Sequence, residues 1–232
     1  MISTPPTETK VTVKPNLRIA LLDSASPHIA DVVSDMHLAL LPTSPAVLLG
    51  KNFLRDFYYT LLPAQGLIHV MVAYVDDKPA GFIAVTPDPN SFMSTALRRW
   101  WYRISWILFI SVIAQPFTRI PALWEAFRIM TARKDETPDP FTAEFLSLGV
   151  LPEFTNPKFV MESGLRIARE LITQGVRVLS DTGAKKVTAV VDADNLPARM
   201  MYYGLGWTLS RSSVPGWRAP SVEFTCEIKD SK

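Results

Sequence analysis

The apolar positions in the first third of the chain change from strand-like to helix-like spacing. Residues 17–22 form a short apolar run that is typical of a strand. Over residues 27–40, apolar side chains recur every three or four positions behind a proline that suits the first turn of a helix. The same spacing returns over residues 53–61. This part of the chain therefore predicts one strand followed by two helices.

The pattern in the rest of the chain predicts a sheet whose later strands are joined by helices. Two β-rich runs, at 69–74 and 80–86, flank the turn-forming residues 76–79 and predict a hairpin. The later predicted elements are strands at 145–150, 186–191, 207–211 and 222–228, helices at 164–182 and 195–203, and a turn at Pro215-Gly216. This order of elements predicts a mixed α/β sheet.

Residues 146–191 form the central piece of the predicted sheet, a strand-helix-strand crossover. Such a crossover is right-handed and exposes a helix N-terminus beside the end of the first strand. The free amides and the positive dipole end of a helix N-terminus attract phosphate. The pattern thus predicts an anion-binding place at this end of the sheet.

Length and composition indicate one domain. The chain has 232 residues, 48% of them hydrophobic and 20% charged, which is enough for one well-buried core. Residues 1–15 are polar and rich in Thr, Pro and Lys, without the apolar run of a secretory signal, so we expect a flexible tail before a single domain at 16–232. A formal net charge of +2 is too small for nonspecific attraction to nucleic acid, so we expect no nucleic-acid partner.

Cysteine and histidine residues give no sign of a metal site. Cys226 is the single cysteine, so one chain forms neither an internal disulfide nor a thiolate zinc site. His28, His37 and His69 have no carboxylate or cysteine at a diagnostic spacing, and we interpret them as capping or surface residues. We expect no metal and a reducing, cytoplasmic location.

The most specific motif lies near the end of the chain. Asp194-Asn195-Leu196-Pro197-Ala198 is followed by Met201-Tyr202 and then by Leu205-Gly206-Trp207. Asn195 suits the start of a helix, Ala198 and Tyr202 lie at i and i+4 on one helical face, and Gly206 suits its end. This spacing resembles the N-x-x-A-x-x-[FY]-Y-x-x-L-G-[FW] signature of the GCN5-related N-acetyltransferases, the GNAT family.

The resemblance covers most of residues 17–228, with about 90–140 outside it, and implies a mostly antiparallel central sheet flanked by helices and acetyl-CoA as co-substrate. In this family a strand ending in V-x-P is followed by a [QR]-x-x-G-x-[GA] loop whose amides hold the pyrophosphate of coenzyme A. Val150-Leu151-Pro152 matches the strand end, but residues 153–158 contain no glycine. Gly183 lies twelve residues before Asn195, as is usual in the family, and the same alignment puts the loop at 163–168.

The predicted phosphate loop is therefore Ser163, Gly164, Leu165, Arg166, Ile167 and Ala168. Gly164 and Ala168 provide small residues near the amides. Arg166 replaces the middle glycine of the family pattern, and either adds a cation for phosphate or crowds the site. The alternative is an ordinary crossover helix with a glycine near its start.

The resemblance also implies roles in catalysis. Acetyl transfer to an amine needs a group that takes the amine proton and one that protonates the departing thiolate. Tyr202 matches the family's general acid, and Glu144 lies where some members carry the base; the alternatives are a tyrosine packed at the core edge and a solvent-facing glutamate. The predicted cofactor contacts on the strand and the last helix are Leu148, Gly149, Val150, Asn195 and Ala198.

An insert at about 91–140 is particular to this chain. Residues 91–124 contain no acidic residue but four arginines, beside the aromatic cluster Trp100, Trp101, Tyr102 and Trp106. The apolar stretch 104–114 is too short to span a bilayer, which takes about 20 residues. One interpretation is an interfacial helix on the inner face of a membrane. The other is a helical hairpin, packed on the sheet or on a second copy of the chain, with Trp124, Phe127 and Met130 in its second helix.

Two functions are compatible with the sequence. Residues 49–54, Leu-Gly-Lys-Asn-Phe-Leu, are similar to a stretch found in a bacterial GNAT subgroup. The first function is an acetyl-CoA-dependent N-acetyltransferase whose acceptor is a primary amine, such as an amino sugar or another small amine. The second is a non-catalytic module of the same fold that docks to a membrane or a protein through the insert.

Overall fold

The computed structural model describes residues 15–22, 26–114, 124–125, 139–214 and 219–228. Within them, seven strands form one sheet in the order β1-β2-β3-β4-β5-β7-β6. Nearly all of the predicted N-terminal tail, the predicted turn at Pro215-Gly216, and Phe127 and Met130 of the predicted second insert helix lie outside the described residues.

The strands are β1 (Leu17–Leu21), β2 (His69–Val75), β3 (Lys78–Thr86), β4 (Thr142–Val150), β5 (Lys186–Asp192), β6 (Thr208–Arg211) and β7 (Ser221–Glu227). The α-helices are α1 (Pro27–Leu40), α2 (Pro45–Leu48), α3 (Phe92–Ala114), α4 (Pro157–Ser163), α5 (Ile167–Asp181) and α6 (Leu196–Gly204). A π-helix occupies Phe53–Leu61 and continues into one α-turn, Leu62–Ala64.

The pairing of strands confirms the predicted mixed, mostly antiparallel sheet flanked by helices. Every neighbouring pair is antiparallel except β4 and β5, which are parallel and joined by the crossover through α4 and α5. The β2–β3 hairpin is tighter than predicted, because Asp76 and Asp77 both adopt positive φ angles of 48° and 62° and Lys78 already pairs with Val75. A two-residue turn of this kind matches the twist of the strands that it joins.

Two hydrophobic clusters cover the two faces of the sheet. On the face that we call the α1 face, α1, the π-helix and α3 pack through residues such as Val33, Phe57 and Ile104. On the opposite face, the α5 face, α5 packs with β-strand residues such as Ile83 and Phe145. Side chains alternate between the two faces along each strand.

The second predicted helix is present, but its central part has π rather than α geometry. The Thr60 hydroxyl donates to the Arg55 carbonyl oxygen at 2.7 Å, and the three consecutive aromatic residues Phe57, Tyr58 and Tyr59 are all buried. A strict period of three and four residues does not place three neighbours in a core together. π-helical geometry is rare in proteins, and this nine-residue segment lies against the α1 face of the sheet.

The predicted start of the helix at 164–182 is wrong, because the helix begins three residues later. Gly164 ends the short helix α4, with φ of 74° and its amide bonded to the Val160 carbonyl oxygen. The long helix α5 starts at Ile167. Gly164 thus serves as the C-terminal cap of one helix rather than as the first residue of the next, because glycine adopts the left-handed conformation without strain.

The insert begins with a helix twice as long as its apolar stretch. Helix α3 has 23 residues and bends at Trp100, where φ is −124° and ψ is 28°. Phe92, Ala96 and Ile104 are buried and join the cluster on the α1 face. Among the described residues, no helix is both long and apolar enough to cross a bilayer.

Candidate functional site

The parallel strands β4 and β5 pair at one end and separate at the other. Residues 142–145 pair with 186–189, and no further pair follows within the described residues. Residues 147–150 remain paired with β3, from which Leu146 is skipped at a bulge, and 190–192 remain paired with β7. We call the opening between 146–150 and 190–192 the wedge. Backbone groups of these residues that point into the wedge have no strand partner, and a ligand that carries amide groups is able to supply one.

The N-terminus of α5 lies at the open end of the wedge. Helix α5 leads through a short turn to Lys185 and Lys186, whose amides bond to the Phe141 carbonyl oxygen at the closed end. A Cβ on Gly175 would lie 3.0 Å from the Phe145 ring, at the level of the last strand pair. Ile167 is eight residues earlier in the helix, about 12 Å toward the open end. The free amides of the first turn are therefore directed at this end of the sheet.

The α1 face of the wedge is covered by the end of α1 and the loop behind it. Gly149 of β4 packs under Leu40, where a Cβ would come within 2.9 Å of Leu40 Cδ1 and of Phe82 Cε1. The Thr43 hydroxyl donates to Asp192 Oδ2 at the end of β5, at 3.0 Å. The chain segment from Leu40 to Thr43 therefore bridges the two strands where they are apart, and places a carboxylate at the opening.

The predicted phosphate loop is only partly available to a ligand. Ser163 Oγ accepts from the Leu165 amide at 3.1 Å, and the Gly164 amide is bonded within α4. Ile167, the first residue of α5, is buried, whereas Arg166 is exposed. The amides of the first turn of α5, from residue 166 to 169, have no intrahelical acceptor. The structure thus brings residues 166–168 to the open end, with Ser163, Gly164 and Leu165 shaping the approach.

The predicted contacts on β4 divide between the two faces. Leu148 and Val150 pack against the cluster on the α5 face. Gly149 points to the α1 face, where the contacts with Leu40 and Phe82 give a packing reason for the glycine. Because all three lie within 146–150, their backbone groups border the wedge.

Tyr202 is buried beside the closed end of the wedge, on the α5 face. Its ring lies 4.9 Å from the Trp207 ring, which lies 5.3 Å from Phe145, and it stacks on Phe224 at 5.4 Å between centroids. Burial raises the pKa of the Tyr202 phenol above its usual value, so the hydroxyl stays protonated at neutral pH. No hydrogen bond joins this hydroxyl to another described residue. Tyr202 is available as a proton donor but not as a base.

Glu144 lies one residue before the last β4–β5 pair and is buried, with 3% of its surface exposed. The alternative of a solvent-facing glutamate is therefore wrong. Its neighbour Phe145 packs on the α5 face, so the Glu144 side chain points to the α1 face. Tyr202 and Glu144 consequently stand on opposite faces of the sheet at the closed end of the wedge.

Asn195 and Ala198 form the start of α6 at the open end, behind β5. Asn195 Oδ1 accepts from the Ala198 amide at 3.1 Å, as an N-terminal cap does. This confirms the expected start of the helix. It also means that the Ala198 amide already has an acceptor, so any ligand contact of these residues uses their other groups.

A buried polar group of residues on the α1 face was not predicted from the sequence. His37 Nδ1 lies 2.5 Å from the Tyr59 hydroxyl, and Nε2 lies 2.9 Å from Ser44 Oγ. Burial lowers the pKa of His37 to about 4 and raises that of Tyr59 well above its usual value, so both are neutral at pH 7. The interpretation of His37 as a cap or surface residue is wrong: it is fully buried and stacks on Phe82, 5.8 Å between centroids.

Ser147 belongs to the same region and lies on the strand segment that borders the wedge. Its side chain is 8% exposed, and its Oγ has no hydrogen-bond partner among the described residues. Ser147 lies near the Tyr59 hydroxyl and offsets part of the rise in the Tyr59 pKa that burial causes. The spacing of residues 53–61 predicted a helix, but no sequence pattern indicated that Tyr59 and His37 would be in contact.

Neither a metal site nor a reactive thiol stands out in the described part of the chain. Its His, Cys, Asp and Glu residues form no group of three or more with metal-binding geometry. Burial and the nearby Glu227 raise the pKa of the Cys226 thiol.

Comparison with solved structures identifies the fold. No protein-family model matches the sequence, and no curated protein matches it. A GNAT-family acetyltransferase from Streptococcus pneumoniae matches with a TM-score of 0.52 and 12% identity, over 92% of this chain and 100% of that one. A Desulfovibrio desulfuricans protein assigned to the same family matches with a TM-score of 0.53 and 13% identity, over 92% and 100%.

A third structure was solved with a ligand. The Bacillus subtilis acetyltransferase in complex with CoA matches with a TM-score of 0.50 and 12% identity, over 92% of this chain and 100% of that one. At identities of 12–13%, these comparisons show the fold of the chain. The chain has the fold of the GNAT-family acetyltransferases, and the resemblance seen in the sequence is confirmed at that level.

Proposed function

We propose that this protein transfers the acetyl group of acetyl-CoA to a primary amine. The observation that carries the proposal is the wedge, where strand backbone without a strand partner meets the N-terminus of α5. An elongated ligand with amide groups at one end and phosphates at the other suits both parts. Coenzyme A has this chemistry, and the CoA complex of the Bacillus subtilis protein of the same fold supports the choice.

The pantetheine arm would lie along β4, against the backbone groups of Leu148, Gly149 and Val150. The pyrophosphate would lie at the first turn of α5, where the amides of residues 166–168 and the positive end of the helix dipole favour an anion. The exposed Arg166 adds a cation at the same place. Asn195 and Ala198 would border the ligand from the start of α6.

The reaction is direct attack in a ternary complex. The amine nitrogen forms a bond to the thioester carbonyl carbon, the bond from that carbon to sulfur breaks, and the nitrogen loses a proton. We assign Glu144 as the group that takes this proton, directly or through water, and Tyr202 as the acid that protonates the thiolate. Their position on opposite faces at the closed end suits a reacting carbon held between the strands.

The acceptor would enter from the α1 face, because the α5 face is covered by the crossover helix. Asp192 lies at the opening, where it accepts a hydrogen bond from Thr43. A carboxylate at this place favours an acceptor that arrives as an ammonium ion. An amino sugar or another small amine fits this requirement, and we place the reaction in the cytoplasm.

Calorimetric titration with acetyl-CoA tests the cofactor site. We expect micromolar affinity, a loss of about tenfold or more in Arg166→Glu from charge reversal at the phosphates, and no loss in Arg177→Glu. Arg177 is an exposed arginine in the middle of the same helix and serves as the matched control. Equal effects of the two changes would argue against pyrophosphate binding at the start of α5.

A screen of primary amines, read by release of the CoA thiol and by mass spectrometry of the product, tests the activity itself. Binding of acetyl-CoA without transfer to any amine would contradict the proposal that the acceptor is a primary amine. Absence of binding at millimolar acetyl-CoA would instead favour the second function, a non-catalytic module of this fold. The exposed aromatic face of α3 is the observation that favours docking, and it is compatible with either outcome.

A further inference from the structure

Helix α3 has two apolar faces, and only one of them is used in the core. The inner face carries Phe92, Ala96 and Ile104, all less than 9% exposed. The outer face carries four large aromatic side chains that are more than half exposed: Trp101 at 65%, Tyr102 at 56%, Trp106 at 63% and Phe109 at 56%.

The four aromatic residues lie on one stripe of the helix. At 3.6 residues per turn, positions 101, 102, 106 and 109 fall within about 140° of the helix circumference, which keeps them on one side of the helix. Within the stripe, Trp101 and Tyr102 contact edge to face at 6.4 Å, and Trp106 stacks with Phe109 at 6.1 Å. Monomeric proteins rarely expose so many large aromatic residues together, and such a patch marks an interaction surface.

The charges around the stripe indicate its partner. Arg98, Arg99 and Arg103 are exposed on the same helix, and Arg99 also lies over the Trp100 ring at 5.1 Å. No acidic residue occurs between residues 91 and 124. Asp56 of the π-helix borders the groove beside Tyr102 and Trp106, and it is paired with Arg55 at 2.6 Å. A protein-protein interface would combine the aromatic residues with charges of both signs or with few charges. Arginine beside tryptophan and tyrosine, with no acidic residue on the helix itself, is instead the composition of a helix at a lipid surface.

The way in which α3 packs on the sheet also suits binding to a lipid surface. The inner face of α3 fixes the helix on the α1 face of the sheet, through Ile104 and the partly buried Ile107 and Trp100. The aromatic stripe thereby faces away from the sheet. Indole and phenol rings settle at the depth of lipid headgroups, and the arginines meet anionic headgroups there.

We propose that the outer face of α3 binds the surface of an anionic lipid bilayer, with Trp101, Tyr102, Trp106 and Phe109 in the headgroup region and Arg98, Arg99 and Arg103 on anionic headgroups. The helix lies in the plane of the surface and does not cross it. The binding is peripheral and independent of acetyl transfer, so it holds whether or not the proposed enzymatic function is correct.

Flotation of the full-length protein with vesicles tests the proposal. We use vesicles of phosphatidylglycerol mixed with phosphatidylcholine, and vesicles of phosphatidylcholine alone. The protein should float with the anionic vesicles, and the binding should weaken as salt rises. Removal of one charge in Arg98→Gln should weaken the apparent affinity about fivefold, the effect of roughly 1 kcal/mol per basic residue near an anionic surface.

Loss of one ring in Trp106→Ala should weaken the binding at least about tenfold, since a buried indole contributes through its apolar area. Two matched variants leave the outer face intact. Arg177→Gln removes an exposed arginine on α5, and Met161→Ala removes a side chain that is 80% exposed on α4. Both should bind like the wild type, and circular dichroism should show all four variants folded.

Three results would overturn the proposal. The first is failure of the wild-type protein to float with anionic vesicles. The second is equal binding to uncharged vesicles, or unchanged binding of Trp106→Ala and Arg98→Gln. The third is a stable dimer in sedimentation that Trp106→Ala converts to a monomer while lipid is absent, because the stripe would then be the contact between two copies of the chain.

Discussion

Replacement of Tyr202 by phenylalanine removes one hydroxyl and leaves the packing of the ring in place. The ring contacts Trp207 and Phe224, at 4.9 and 5.4 Å between centroids, and a phenylalanine keeps both contacts. The hydroxyl forms no hydrogen bond with another described residue. The free energy of unfolding should therefore change by less than about 1 kcal/mol.

The effect on turnover should be much larger. A positioned general acid contributes about 10²- to 10⁴-fold to the rate, which corresponds to about 3–5 kcal/mol in the activation free energy. Burial raises the pKa of Tyr202, so the wild-type phenol stays protonated across the neutral range and kcat should show no loss from its ionisation up to about pH 9. Binding of acetyl-CoA should be unchanged, because the loss concerns the transition state.

The assay follows release of the CoA thiol with the acceptor that the amine screen identifies, and calorimetry gives the acetyl-CoA affinity. Tyr203→Phe is the matched control, since Tyr203 is the next residue of α6, packs edge-on against the same Phe224 at 4.9 Å, and is 43% exposed. A kcat of Tyr202→Phe within about threefold of the wild type would refute the assignment. A similar loss in both variants would show that the effect arises from the aromatic packing and not from the acid.

Three further predictions concern stability. In Gly149→Ala, a Cβ only 2.9 Å from the Phe82 ring should cost about 1–3 kcal/mol in urea unfolding, and an unchanged midpoint would contradict the close contact. Asn195→Ala should cost about 1 kcal/mol through loss of the helix cap, with Asn195→Asp as the conservative control. The pKa of His37 is about 4 in the folded chain and 6.5 in the unfolded chain. Between these two pH values the unfolded chain binds a proton at His37 and the folded chain does not. Stability should therefore fall by about 3 kcal/mol from pH 6.5 to pH 4, and His37→Gln should remove this slope in urea unfolding followed over that range.

The corner that carries the family resemblance was predicted well because its determinants are local. Asn195 caps α6 through its own side chain, and Gly206 follows the helix with φ of 82°. The same locality explains the success with the hairpin, although its turn is shorter than expected. Such elements depend on residues within a few positions of one another, so the order of residues along the chain is sufficient.

The error at Gly164 has a physical reason. A glycine between two helical patterns satisfies either the end of the first helix or the loop before the second, and the sequence contains both options. The choice depends on where residues 157–163 pack, which is a tertiary property. The family spacing predicted a phosphate loop at 163–168, but it did not show that the Leu165 amide already donates to Ser163 Oγ.

The contact between His37 and Tyr59 could not be predicted from the sequence, for a different reason. Which face of α1 is buried depends on its docking against the π-helix, and π geometry shifts the aromatic residues relative to a regular helical spacing. Glu144 is similar, because its burial follows from the layers on both sides of β4 and not from β4 itself. Polar residues that the core takes in are difficult to distinguish from surface residues when only the sequence is known.

The separation of β4 from β5 has a consequence for self-association. Exposed strand edges are templates on which other chains add strands, and proteins protect them with charges, prolines or short lengths. The unpaired backbone of residues 146–150 is an edge in the interior of the sheet, with β3 on its other side and β5 within the same molecule across the opening. A strand from another chain has to pass between two sheet halves that Thr43 and Asp192 connect. The backbone donors and acceptors that face the wedge therefore carry less risk of aggregation than an outer edge of the same length.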